Sequence, residues 1–238
     1  MEPNFSTEAA PARALEPGCD RGAAVTRSLL GYGVLVGPFY LTVGLIQAFL
    51  RDGFDFARHP LSLLANGHGG WVQTANFVLS GLMVVAAAVG FKRVLGPKSL
   101  AASGFLGAFG ASMIVAAVFR ADPMDGFPVG TPLGPPTSIS TMGLVHFIAG
   151  TLGFISLVVS CFFTARAMSR RKARSMARLS VLAGLAVVLG FFGGFLPGIS
   201  VGTLGIWFAV VVGWAWLAVL SCHLYRAAPD PKCAPQSH

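Results

Sequence analysis

The sequence predicts an all-α, polytopic membrane protein with six transmembrane helices and both termini on the cytoplasmic side. Three observations predict this class. The mean hydropathy is +0.71, charged residues make up only 11% of the 238-residue chain, and six long apolar segments are separated by short polar ones. Soluble domains carry about 25% charged residues, whereas a bilayer core of about 30 Å needs roughly 20 apolar residues in a helix. A soluble globular fold is therefore excluded.

The six apolar segments define the predicted helices and the domain organisation. They cover residues 28–50, 71–91, 100–119, 142–165, 179–196 and 204–225. The connections between them are too short to fold separately, so we predict one transmembrane domain over residues 28–225. Residues 1–27 are expected to form a polar, disordered cytoplasmic tail, and residues 226–238 a second, short cytoplasmic tail.

Glycines recur inside these segments at spacings that favour close helix packing. Gly33 and Gly37 form a GxxxG pair in the first segment, and Gly104, Gly107 and Gly110 recur in the third. Helices in lipid gain no hydrophobic free energy by associating, so close contact depends on small residues that let the backbones approach. We therefore interpret these glycines as packing positions rather than as ligand contacts.

The basic residues predict the orientation of the helices. All of the 17 Lys and Arg residues except Arg51, Arg58 and Arg120 fall in the two tails or in the second and fourth connections. Cytoplasmic segments carry the excess of Lys and Arg, so these segments are predicted to lie inside. The net charge of +8 is therefore concentrated in segments that are expected to face anionic lipid headgroups. Membrane lipids, and not nucleic acid, are the expected partners.

A polar stretch follows the first predicted helix, at residues 56–67 (FARHPLSLLANG). Pro60 suits the first turn of a helix, and Asn66-Gly67 suits its end. We predict a short interfacial helix over residues 60–66 with Ser62 and Asn66 on one face. The next helix continues the pattern with polar residues at i, i+3 and i+7, which should face the bundle interior because an unpaired amide in hydrocarbon is costly. These residues are Gln73, Asn76 and Ser80.

The second outer connection, residues 120–141, has five prolines and three glycines, so we predict an irregular loop. His146 lies about one turn inside the helix that follows. No Asp, Glu, Lys or Arg occurs in the central part of any predicted span. Ion-coupled transporters usually carry such residues near the midplane, so a transporter is the third-ranked function. If the chain has a site, we expect it to open outward.

Two enzymatic interpretations use the outer residues, with a lipid or isoprenoid-like substrate. In a hydrolase-like site, Ser62 is the nucleophile and His59 or His146 takes its proton. Asp122 or Asp125 then orients the histidine. In a metal-dependent enzyme, histidines and an aspartate bind a divalent cation such as zinc. The histidines in question are His59, His68 and His146. No HExxH, GxSxG or dinucleotide motif occurs, so the cofactor stays open.

A third interpretation is an outward-facing polar pocket that binds a lipid headgroup or a small polar ligand. Arg58 and Arg120 would supply charge-assisted hydrogen bonds to a phosphate or carboxylate. The other polar side chains assigned to this pocket are Asn66, Gln73, Asn76 and Asp125. In a fourth interpretation, these groups only cap helix ends and satisfy one another at the interface. The residues alone leave all four interpretations open.

Short motifs on the outer side resemble a known family. They are residues 59–65 (HPLSLLA), Gly70-Trp71, Asn76-Phe77, residues 119–123 (FRADP) and Val145-His146. Together with six spans, they are similar to the domain of unknown function 998 family, over residues 27–226. That family comprises prokaryotic integral membrane proteins without an assigned activity. The resemblance implies a bacterial cytoplasmic membrane location and points again to Ser62, Asp122 and His146.

The orientation can be measured with reporter fusions. A reporter joined after Pro128 is expected outside the cytoplasm, because the second outer connection has few basic residues. Alkaline phosphatase fused there should be active, and the same reporter after Lys172 should be inactive. A cytoplasmic location of the Pro128 fusion would contradict the predicted topology.

Overall fold

Six α-helices form the protein in a computed structural model that describes residues 20–136, 138–193 and 202–231. All six are long and apolar enough to cross a membrane, which confirms the predicted all-α architecture with six transmembrane helices. Short 3₁₀ helices, Leu61–Ala65 and Pro97–Ser99, precede α2 and α3, and no strand occurs in the described ranges. The helices are α1 Arg21–Leu50, α2 Gly70–Leu95, α3 Leu100–Val118, α4 Thr141–Arg170, α5 Arg174–Gly193 and α6 Gly202–Ala227.

Several helices extend beyond the apolar segments that predicted them. The first helix starts at Arg21 and not at residue 28, because the Asp20 carboxylate accepts a hydrogen bond from the Ala23 N–H at 3.1 Å and caps the helix. Hydropathy marks the part of a helix that lies in hydrocarbon, whereas polar turns can continue into the interface. Residues 1–19 of the predicted tail, the predicted end of the fifth helix at 196 and residues 232–238 lie outside the described ranges.

The helices form a ring in chain order, in which each helix packs against the next and α6 packs against α1. Contacts at one end join the beginning and end of the chain. Arg27 forms an ion pair with Asp230 and donates to the Ala228 carbonyl at 3.1 Å. The basic α4–α5 turn lies at the same end, where Arg171 donates to the Val94 carbonyl. The start of α1 and the end of α6 therefore lie on one side of the bundle. The charge pattern predicts that this side is cytoplasmic.

Gly33, Gly37 and Gly110 set the separation between neighbouring helices, as the sequence predicts, whereas the prediction for Gly104 is wrong because it is exposed with no atom within 4 Å of its Cβ position. A Cβ atom on Gly37 would lie 2.8 Å from Trp214 Cβ, and one on Gly33 would overlap the Ser221 hydroxyl, so the GxxxG pair forms the contact between α1 and α6. A Cβ on Gly110 would lie 2.7 Å from the Gly81 carbonyl oxygen in the contact between α3 and α2. These backbones approach too closely for any larger residue.

The predicted short helix in the first outer connection is present as the 3₁₀ helix Leu61–Ala65. Pro60 precedes this helix and does not open it, and Asn66 ends it in an extended conformation. Leu61, Leu63 and Leu64 are buried against α1 and α2. The segment is therefore inserted into the end of the bundle and does not lie flat on the membrane surface.

The contact between α2 and α3 gives a direct test of the glycine packing. Gly81→Ala is expected to destabilise the protein by about 1–3 kcal/mol, because the added methyl group would lie 2.6 Å from the Gly110 carbonyl oxygen. Gly104→Ala is the matched control, since Gly104 is exposed on the same pair of helices and has no atom within 4 Å of its Cβ position. Thermal unfolding of the purified protein measures both. Equal melting temperatures would contradict this packing.

Candidate functional site

His59 joins the two outer connections, which we call the cap (residues 51–69, 119–136 and 138–140). Its Nδ1 accepts a hydrogen bond from the Asp55 backbone N–H at 2.8 Å. Because Nδ1 is an acceptor, Nε2 carries the proton and donates to the Asp125 carbonyl at 3.0 Å. The ring is only 1% exposed and packs between Phe54 and Phe127. Neither nitrogen keeps a free lone pair, which disfavours the predicted roles as base or metal ligand.

Arg51 and Asn66 hold the cap through backbone carbonyls. The Arg51 guanidinium donates to the Leu64 carbonyl at 3.2 Å and to the Asn66 carbonyl at 2.6 Å. It also lies over the Phe127 ring, 5.2 Å from the centroid. The Asn66 side chain donates to the Ala121 carbonyl at 2.9 Å, across to the second connection. Sequence reasoning gave Arg51 no role, although a single arginine directly after a helix and before an irregular segment suits such contacts.

Asp122 caps the start of α4. Its carboxylate accepts hydrogen bonds from the Ser140 backbone N–H at 3.0 Å and from the Ser140 hydroxyl at 2.6 Å. The Ser140 hydroxyl in turn accepts from the Gly143 N–H at 3.0 Å in the first turn of the helix. A carboxylate at a helix N-terminus also interacts favourably with the helix dipole. These contacts give Asp122 a structural role at the cavity wall.

The remaining charged candidates of the outer side lie away from the bundle interior. Arg58 forms an exposed ion pair with Asp55 at 3.2 Å. Arg120 and His68 are exposed. Asp125 adopts a left-handed conformation with φ of 53° and accepts from the Gly134 N–H at 3.0 Å, within its own loop. A role for these residues in ligand binding stays a prediction for the rim of the cap.

The predicted polar stripe of α2 is buried, as expected, and joins α2 to α1. The Gln47 side chain donates to Gln73 Oε1 at 2.9 Å. Asn76 donates to the Tyr40 carbonyl at 3.1 Å, and Ser80 donates to Asn76 at 3.4 Å. None of the three stripe residues lines the cavity described next. Asn76 and Gln73 use their polar groups toward α1, Ser80 pairs within α2, and Gln73 Nε2 is buried without a partner in the described ranges. Their role in ligand binding stays a prediction.

A cavity of about 500 Å³ lies beneath the cap, and all six helices and the first 3₁₀ helix contribute to its wall. The wall is chiefly apolar, in contrast to the predicted polar pocket. The aromatic residues that form it include Phe77, Phe109, Phe154, Phe191, Trp207 and Trp214. Three of the predicted catalytic residues, Ser62, Asp122 and His146, also line it. The structure therefore brings these three together and leaves His59 outside.

Two of these residues, Ser62 and His146, have side-chain polar atoms without a hydrogen-bond partner in the described part of the chain. His146 Nδ1 donates to the carbonyls of Ala116 at 3.0 Å and Phe119 at 2.8 Å, at the end of α3. In the neutral imidazole, Nε2 is then the acceptor, and no described residue donates to it. The Ser62 hydroxyl also lacks a hydrogen-bond partner among the described residues. Neither Ser62 Oγ nor His146 Nε2 is fully buried. Since carbonyls and not Asp122 orient His146, the three residues do not form a triad of the serine-hydrolase type.

Metal binding finds no support in the described ranges. Within residues 20–136, 138–193 and 202–231, no three His, Cys, Asp or Glu side chains cluster as metal ligands would. His68 is exposed, and both nitrogens of His59 are hydrogen-bonded. The metal-dependent enzyme therefore stays a prediction without a matching ligand set.

The fold and cavity define a six-span integral membrane protein whose cap lies over a mostly apolar cavity at one end of the bundle. Residues 34–223 match the family described as protein of unknown function DUF998, and the chain belongs to that family. No curated protein and no solved structure matches the chain. The family thus supports the architecture that the sequence predicts and leaves the activity to be inferred from the site.

The capping role of Asp122 predicts a loss of stability on Asp122→Asn. The amide replaces one hydrogen-bond acceptor with a donor that faces Ser140, so we expect the free energy of unfolding to fall by about 1–2 kcal/mol. Asp52→Asn is the control, because Asp52 is exposed and forms no hydrogen bond in the described ranges. Thermal unfolding separates the two variants. A purely catalytic role for Asp122 would leave the melting temperature unchanged.

Proposed function

We propose that this protein binds a lipid-like molecule in the cavity beneath its cap, in a bacterial cytoplasmic membrane. The observation that carries the proposal is a chamber of about 500 Å³ with an aromatic and aliphatic wall and a few polar atoms in it. Ligand pockets of roughly 300–1,000 Å³ have this composition, with a small number of polar groups that fix orientation. An amphipathic molecule with an apolar chain matches it.

The helix α4 supplies the longest face of the cavity. The residues that line it from this helix recur every three or four positions, as one face of a helix does. They are Gly143, His146, Phe147, Gly150, Thr151, Phe154 and Leu157. The chamber therefore follows the helix from its capped start toward the membrane interior, and an extended chain fits this shape better than a compact polar ligand.

The second candidate is a hydrolase-like enzyme that acts on a lipid or isoprenoid-like substrate. Its supporting observation is that Ser62 and His146 line one cavity, and that His146 Nε2 is an acceptor in the neutral imidazole because Nδ1 donates to carbonyls. In this scheme Nε2 takes the serine proton during attack on an ester. A fluorophosphonate probe tests this directly: labelling of the wild type that is lost in Ser62→Ala supports the enzyme, and no labelling contradicts it. A transporter ranks third, since no charged side chain lies in the central spans of the sequence.

Ligand binding is tested by filling the cavity. Gly150 lines the chamber and has no atom within 4 Å of its Cβ position, so the side chain of Gly150→Leu can occupy the space. We expect this variant to bind the fluorescent apolar probe 1-aminoanthracene at least about tenfold more weakly in phospholipid nanodiscs, which corresponds to a loss of roughly 1.4 kcal/mol.

Gly104→Leu is the matched control, because it adds the same side chain to an exposed glycine of another helix. It should bind the probe as the wild type does. Mass spectrometry of co-purified lipids gives a second measurement, in which a bound species should be present in the wild type and depleted in Gly150→Leu. Equal probe binding and equal lipid content in both variants would contradict the proposal.

A further inference from the structure

We infer that the cavity selects a lipid whose polar end is an uncharged hydroxyl group on an apolar chain. This rests on the proposed function and adds the chemical class of the ligand. It differs from the phosphate or carboxylate headgroup that Arg58 and Arg120 led us to expect from the sequence. The inference follows from the charges, the hydrogen-bond state and the shape of the residues that line the chamber.

The charges around the cavity disfavour an anionic ligand. Among the described residues, no Lys or Arg lines the cavity, and Asp122 is its one acidic residue. A phosphate or carboxylate placed inside would lose its hydration without gaining a counter-ion, and it would face the Asp122 carboxylate. Such desolvation costs several kcal/mol for an unpaired ion. An anionic group therefore belongs outside the chamber.

For a cationic end of a ligand, Asp122 is the available partner in the described wall. Both carboxylate oxygens of Asp122 already accept hydrogen bonds from Ser140. Gly143 packs so closely that a Cβ atom there would overlap the carboxylate. An ammonium group would have to approach a carboxylate that is already engaged in capping α4. A cation is thus a poorer fit than a neutral group.

The unpaired donors and acceptors of the wall favour a hydroxyl. In the neutral imidazole, His146 Nε2 can only accept, because the ring proton is on Nδ1 and is donated to the Ala116 and Phe119 carbonyls. The Ser62 hydroxyl has no partner and can donate or accept. A ligand hydroxyl donates to His146 Nε2 and accepts from Ser62. A ketone or ester carbonyl accepts only, which would leave Nε2 unpaired.

The experiment compares ligands that share one chain and differ at the polar end. Tetradecanol, tetradecanoate and tetradecylamine each compete with 1-aminoanthracene for the wild-type protein in nanodiscs at mildly alkaline pH. We expect the alcohol to displace the probe with at least about tenfold higher affinity than the charged analogues. If tetradecanoate or tetradecylamine binds as tightly as the alcohol, the inference is overturned, while the Gly150→Leu effect still supports the lipid cavity.

Two substitutions assign the recognition to named atoms. His146→Asn keeps an N–H group that can reach the α3 carbonyls and removes the Nε2 acceptor. Ser62→Ala removes a hydroxyl that makes no hydrogen bond to the described residues. Each should weaken tetradecanol binding about fivefold, the loss of one hydrogen bond, when that affinity is compared with the affinity of the same variant for the probe.

Ser112→Ala is the control for these substitutions. Ser112 also lines the cavity, but its hydroxyl already donates to the Phe109 carbonyl at 2.7 Å. This variant should bind tetradecanol as the wild type does. Unchanged alcohol affinity in both His146→Asn and Ser62→Ala would overturn the assignment. Failure of every alkyl compound to displace the probe, with no effect of Gly150→Leu, would overturn the proposed function as well.

Discussion

Backbone groups in the cap need hydrogen-bond partners. This requirement shapes the end of the bundle that carries the cavity. An irregular chain inserted into the end of a membrane bundle carries N–H and C=O groups that hydrocarbon cannot satisfy. Side chains meet this need: His59 binds one backbone N–H and one carbonyl, Arg51 binds two carbonyls, and Asn66 binds a third. These contacts hold the 3₁₀ helix in place, so the part of the cavity wall that this helix forms depends on them.

This use of polar side chains separates structural residues from candidates for ligand contact. Of the polar groups that suggest chemistry in the sequence, His59, Asn66 and Asp122 are engaged by the backbone. Ser62 and His146 line the cavity and have polar atoms without a partner among the described residues. The two histidines, His59 and His146, thus differ in their surroundings, and their hydrogen-bond partners distinguish them.

The sequence predicts the six spans well because length and apolarity are local properties. It also predicts the buried face of α2, since a spacing of three and four residues identifies one side of a helix. It does not identify the partner of that face, and the stripe meets α1 instead of the cavity. The state of His59 was beyond prediction for the same reason, because its Nε2 partner, Asp125, is 66 residues away in the chain. Helix ends such as Arg21 depend on a single cap, which hydropathy does not register.

The contact between α1 and α6 has a consequence for biosynthesis. Membrane helices enter the bilayer in chain order, yet the Gly33–Gly37 face of α1 meets Trp214 and Ser221 on the last helix. Until α6 is inserted, that contact is missing and the cavity lacks one wall. A chain that stops after five spans therefore lacks the complete cavity, and completion of the protein and creation of its cavity are a single event.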